Sequence, residues 1–243
     1  MAKAPRRRVV RPARQAAIGS ALAAAILAAW LAIHLYGVFA WSPAAPAALL
    51  LVPVQAWLSV GLFIISHDAI HGSLAPHRPR VNRAFGRLSM TLYAGFDYDR
   101  LAENHRLHHE APGTADDPDF SAGNPDHALR WGREFFSRHF TLRPLIFVNV
   151  VVATYWLVLG ASMLNIFLFY GVPALASAAQ LFYFGTYRPH RHADAFADHH
   201  NARSDRMHPA LALLTCYNFG GYHHEHHLFP SEPWWRLPAR RLA

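Results

Sequence analysis

Residues 15–41, 47–66 and 145–184 carry no formally charged side chain, and no other feature limits the fold as much. A helix rises about 1.5 Å per residue and the hydrocarbon of a bilayer is roughly 30 Å thick, so about 20 apolar residues cross it. The first run therefore reads as a span over residues 16–36. The second gives a span over 47–66, in which Pro53 is a kink that a membrane helix tolerates. The third is twice the length of one span and breaks near Gly160 and Asn165, giving 145–162 and 165–184. The expectation is an all-α integral membrane protein with four transmembrane helices. A cleaved signal peptide would also follow a basic start, but this run is too long and a second follows almost at once.

The net charge of +8 matters less than its placement. Lys3, Arg6, Arg7, Arg8, Arg11 and Arg14 precede the first run with no acidic residue among them, and residues 68–142 form a second basic stretch. Basic segments stay on the cytoplasmic side. Residues 1–14 are thus expected as a cytoplasmic tail, residues 15–243 as a single membrane domain, and both termini as cytoplasmic. The charge needs no nucleic-acid partner, and no nucleic-acid motif or phosphate-binding glycine loop is present. The lone Cys216 excludes an internal disulfide and a cysteine-rich zinc module.

Histidine is the chemical signal. Of eighteen, only His34 falls in an expected span; the others lie in segments assigned to the cytoplasm. His67 and His71 form an i, i+4 pair at the end of the second span. His105, His108 and His109 repeat the His-x-x-His-His spacing of His223, His226 and His227. On a helix, i, i+3 and i+4 share one side, and neutral imidazole is the commonest transition-metal ligand. Eight imidazoles exceed what one four- to six-coordinate ion takes, so the set fits two adjacent metals, or one with idle histidines. Imidazole suits zinc, copper, iron and nickel alike, so the residues leave the metal open. A metal transporter would place ligands within the spans, which are nearly free of them.

Three histidine groups, four spans and cytoplasmic loops resemble the membrane fatty-acid desaturase and hydroxylase superfamily. More narrowly, residues 67–72, Asp117-Pro118-Asp119-Phe120, residues 184–191, residues 200–204 and residues 219–227 look like bacterial β-carotene ketolases. The resemblance implies a histidine-rich helical cap on the cytoplasmic face of the inner membrane, holding two ferrous ions that use O2 and electrons from an outside donor such as ferredoxin. It implies oxidation of the C4 methylene of a β-ionone ring to a ketone. The nearest rivals are a carotenoid 3-hydroxylase and a lipid desaturase or hydroxylase, which share the ligand set.

That superfamily needs nine or ten ligands. His190 and His200 are expected to complete the set, with His192, His199 and His224 as adjacent alternatives. His77, His127, His139 and His208 read as ordinary loop residues. Asp68, Asp116, Asp117 and Asp119 are candidates for orienting an imidazole or lining the ring pocket, the aspartates around Pro118 having turn formation as their plain alternative. Tyr93 and Phe96 are candidates for lining a channel for a long polyene. Trp234-Trp235-Arg236 reads as an interfacial anchor.

Overall fold

The computed structural model describes residues 11–241; most of the basic tail, including Lys3 to Arg8, lies outside them. All regular structure among the described residues is helical. Three helices are long and apolar enough to cross a membrane: α1 (Pro12–Ala40), α2 (Pro46–Ile70) and, later in the chain, α7 (Met163–His190). Between them come α3 (Pro79–Ala94), α4 (Tyr98–Glu110) and α5 (Ala128–His139). The sixth, α6, runs over Leu142–Val158 and meets α5 at 80°. At roughly 25 Å, it spans only with help from α5. The span expected at 145–162 is thus the one the structure shortens, ending before Gly160, whose φ of +69° turns the chain.

α1 continues through Tyr36–Ala40, beyond the span end expected at residue 36. Asn165 does not break a helix. It lies inside α7 and donates through Nδ2 to Val38 O (3.3 Å) and Trp41 O (2.9 Å), closing the carbonyls at the end of α1. This fixes the polarity of the bundle: the end of α1 meets the start of α7, so the ends of α2 and α7 lie together at the opposite pole. Within the bundle, Trp30 Nε1 donates to Ser59 Oγ (3.0 Å) and Gln55 Nε2 to Trp30 O (3.2 Å), which ties α1 to α2 through buried polar contacts. Outward, Leu50, Leu145, Ile146, Val158, Leu164, Phe167 and Leu175 are exposed. Such a continuous apolar belt needs lipid around it, and the chain is a membrane protein.

The apolar residues 88–94, too short to span, close α3, which packs along α2. α3 stops at Gly95 (φ +71°), and Asp97 caps α4 by accepting from Asp99 N (3.0 Å) and Arg100 N (3.2 Å). The tight α3 to α4 hairpin lays the Tyr98 ring on Gly86, where a Cβ would lie 2.2 Å from it. α8 (Pro209–Leu214) and α9 (Phe219–Leu228) follow α7. Cys216, Tyr217 and Asn218 between them all have positive φ (56°, 51° and 77°) and are buried. Three consecutive left-handed residues that are not glycine are costly and persist only where packing holds them. Here Tyr217 stacks on Trp57 at 4.4 Å, and Asn218 Nδ2 donates to Trp234 O (3.1 Å). Trp234 is therefore not a free anchor: its ring meets Tyr217 edge to face (5.0 Å) and its backbone N–H donates to Asp68 Oδ2 (3.0 Å).

Candidate metal centre

α2, α4 and α9, with the last residue of α7, bring nine histidines to one pole in two groups. His67, His71, His105, His109 and His226 form the first; His108, His190, His223 and His227 form the second. Within each, the ligand atoms all lie within 4.8 Å of one another. The groups adjoin, with the His109 and His227 rings stacked at 4.3 Å.

The division follows from helical geometry. Residues four apart lie nearly above one another, while i+3 is offset to the other side of that line. His105 and His109 face the first group and His108 the second; in α9, His223 and His227 face the second and His226 the first. Each His-x-x-His-His segment therefore straddles both groups, which differs from the expectation that all three of its rings share one side. Tyr222, with φ −139° and ψ 34°, kinks α9 just before His223 and aims it.

In the first group, His226 Nε2 stands 3.2 Å from His67 Nε2 and 3.0 Å from His109 Nε2, and His71 Nε2 stands 2.8 Å from His105 Nε2. In the second, His223 Nε2 stands 2.9 Å from His190 Nε2 and 3.1 Å from His227 Nε2. One N–H cannot serve two such neighbours, whereas a cation can. Metal–imidazole bonds of roughly 2.0–2.1 Å put adjacent ligand atoms about 3 Å apart, so the spacing fits metal coordination. Burial, reinforced by the neighbouring imidazoles, pushes His71, His105, His109, His223, His226 and His227 far below the ordinary histidine range. They are neutral, which is the ligating form.

The Nδ1 atoms of three rings are anchored from behind, which turns Nε2 inward. His67 Nδ1 donates to Asp68 Oδ1 (3.3 Å), His108 Nδ1 to Asp117 Oδ2 (2.9 Å) and His190 Nδ1 to Asn201 O (2.7 Å). Asp117 also accepts from Gly113 N and Asp119 N, both at 2.8 Å. Burial opposes its negative charge, but these bonds outweigh it and hold the carboxyl below its usual range. His108 moves the opposite way, since Asp117 more than offsets its burial.

The remaining candidates separate clearly. His200 is half-buried, its ring 6.0 Å from His227 and outside both groups. His192 bonds Gly113 O (3.0 Å) and His224 bonds Asp198 (2.8 Å), while the His199 ring lies tilted against His200 at 4.1 Å. His127 and His208 cap α5 and α8, and His77 is exposed. Asp116 is exposed and belongs to neither histidine group. His139 departs from its reading as a plain loop residue: it ends α5 with Nε2 2.8 Å from Asp119 Oδ1. Phe219, which the sequence did not single out, packs its ring on His67 (4.5 Å) and His226 (5.0 Å). Only the turn that precedes α9 places it there, and no spacing in the sequence signals that.

A cavity of about 770 Å³ runs from the outer spans to these histidines. Val152, Ile166, Phe167 and Ala174 line one end, Tyr93, Phe96 and Phe136 its length, and His67, His105, His108 and His223 the other end. Both histidine groups thus face one largely apolar chamber.

A family model described as fatty acid desaturase matches residues 40–143 and 125–242. The chain belongs to that family. Its relatives include the β-carotene ketolases of two Paracoccus strains, each 48% identical, over 89% and 90% of this chain and of the relative. The zeaxanthin 4-ketolase of Chlamydomonas reinhardtii is 36% identical over 96% of this chain and 55% of its own. This member of the desaturase family therefore combines nine clustered histidines with an apolar chamber lined by the spans.

Proposed function

We propose that the chain is a carotenoid 4-ketolase, converting the C4 methylene of a β-ionone ring to a ketone at a di-iron centre in the bacterial inner membrane. The observation that carries this is the chamber: a long apolar substrate entering from the lipid would bring its end ring against both histidine groups. The first group would hold one ferrous ion and the second the other, nine imidazoles in all. When bound, the iron pair supplies the oxidising power, using O2 and electrons from an outside donor, expected to be a ferredoxin, to replace hydrogen with hydroxyl. Two such hydroxylations at one carbon give a geminal diol, which loses water to leave the ketone. β-Carotene becomes echinenone and then canthaxanthin, and zeaxanthin becomes astaxanthin.

The protein's part is positional. Asp68, Asp117 and the Asn201 carbonyl hold three imidazoles in the required tautomer. The walls around Tyr93 and Phe96 exclude water and limit which carbon reaches the centre; Tyr93 is itself fixed by a 3.1 Å bond to Ser177 Oγ. A cytoplasmic location of the histidine pole agrees with the basic residues beside it and with four crossings, counting α5 and α6 as one bent span. Expression in a β-carotene-producing bacterium tests the reading: keto pigments are expected, and zeaxanthin with no keto product would refute it.

A further inference from the structure

The chamber is apolar except for the candidate ligands and a few polar groups, and two of these, Asp119 and His139, meet each other. His139 Nε2 lies 2.8 Å from Asp119 Oδ1, with only 15% and 18% of the side chains exposed. The His139 nitrogen is buried yet makes no aligned hydrogen bond, so the contact leaves hydrogen-bonding capacity unused. The pair is held in place. Asp119 N donates to Asp117 Oδ1 and Trp131 Nε1 donates to Asp119 O, both at 2.8 Å. Burying a carboxylate and an imidazole in an apolar wall is costly, and a hydrocarbon substrate gains nothing from it. A few placed polar groups in an apolar pocket serve to recognise a polar substituent.

The location says which substituent. The Asp119 carboxylate lies within 4.8 Å of a ring nitrogen of His108, at the end of the chamber where the reacting carbon must sit. A hydroxyl on the adjacent ring carbon is two bonds from that carbon and so falls beside the same wall. We propose that Asp119 and His139 form a subsite for this hydroxyl, so that rings already hydroxylated next to the reacting methylene are preferred. Asp119 accepts a hydrogen bond from the hydroxyl and His139 Nε2 completes the contact. This rests on the ketolase reading. It adds that a ring hydroxylase acts before this enzyme.

The test uses the full chain in membranes and measures 4-keto products from zeaxanthin and from β-carotene. In the parent, a carotene with one hydroxylated and one plain ring should gain its first keto group on the hydroxylated ring; first oxidation on the plain ring, or on both equally, overturns the proposal without any variant. For His139→Phe and Asp119→Leu, the ratio of zeaxanthin to β-carotene turnover should fall by about tenfold, as expected for a lost hydrogen bond to a charged group. Asp119→Asn should recover part of it. A purely structural role would lower both substrates together and leave the ratio unchanged, which refutes the subsite. Absence of keto product from every substrate in the parent would refute the ketolase reading instead.

Discussion

Asp117→Asn separates the two histidine groups, because Asp117 touches only one of them. Its Oδ2 accepts from His108 Nδ1 (2.9 Å) and Gly113 N (2.8 Å), and its Oδ1 accepts from Asp119 N (2.8 Å). An amide keeps one oxygen, so its NH2 must face a donor, either His108 or the Asp119 N–H. Each lost bond to a buried charge is worth about 1.5–3 kcal/mol. Removing a group that orients a ligand typically weakens metal binding about 10–100-fold, equivalent to roughly 1.4–2.7 kcal/mol. His108 belongs to the second group alone. A chelator titration of iron-loaded protein should therefore release half of the iron at 10–100-fold lower chelator and the other half as in the parent, with helix content by circular dichroism retained. Release identical to the parent would show that Asp117 does not orient His108, and equal weakening of both halves would show that the groups are not separate sites.

Ala178→Trp places a large ring in the chamber wall away from the histidines, and should abolish keto product while iron content stays at the parent level. In Gly61→Ala the added Cβ would lie 2.5 Å from the Tyr217 hydroxyl and 2.8 Å from Ile26. Overpacking of this kind costs about 1–3 kcal/mol and should lower the melting temperature and loosen iron, since Tyr217 anchors the turn into α9. Metal-free protein should be acid-labile. Six buried histidines have folded pKa values below the ordinary 6.5, so the unfolded chain binds protons first. Their contribution is complete above that pH and is lost below it, at up to about 1.4 kcal/mol per pH unit for each. Thermal melts from pH 8 to pH 5 should show the decline, and a flat profile would contradict it.

The histidine spacing disclosed the cluster because packing gives no reason to repeat His-x-x-His-His, and the uncharged runs disclosed the membrane. Less was legible where chain direction depends on distant contacts. The allocation of His108 and His226 to opposite groups needs the crossing of α4 and α9, which no local pattern encodes. His190 enters the second group because α7 ends there and Asn201 O holds its ring, while His200, equally plausible by sequence, stays outside. The span expected at 145–162 ends at Val158 instead, since apolarity marks what tolerates lipid but not where a helix turns. His139 looked like a loop residue until the fold set it against Asp119.

The proposed pair of oxygen-activating ions would sit between α2, α4, α7 and α9. Metal analysis of the purified full chain after anaerobic reconstitution with ferrous iron tests it most directly. Two irons per chain are expected, falling when His226 or His223 is replaced by alanine. One zinc per chain with no iron taken up, or two irons retained in both variants, would contradict it.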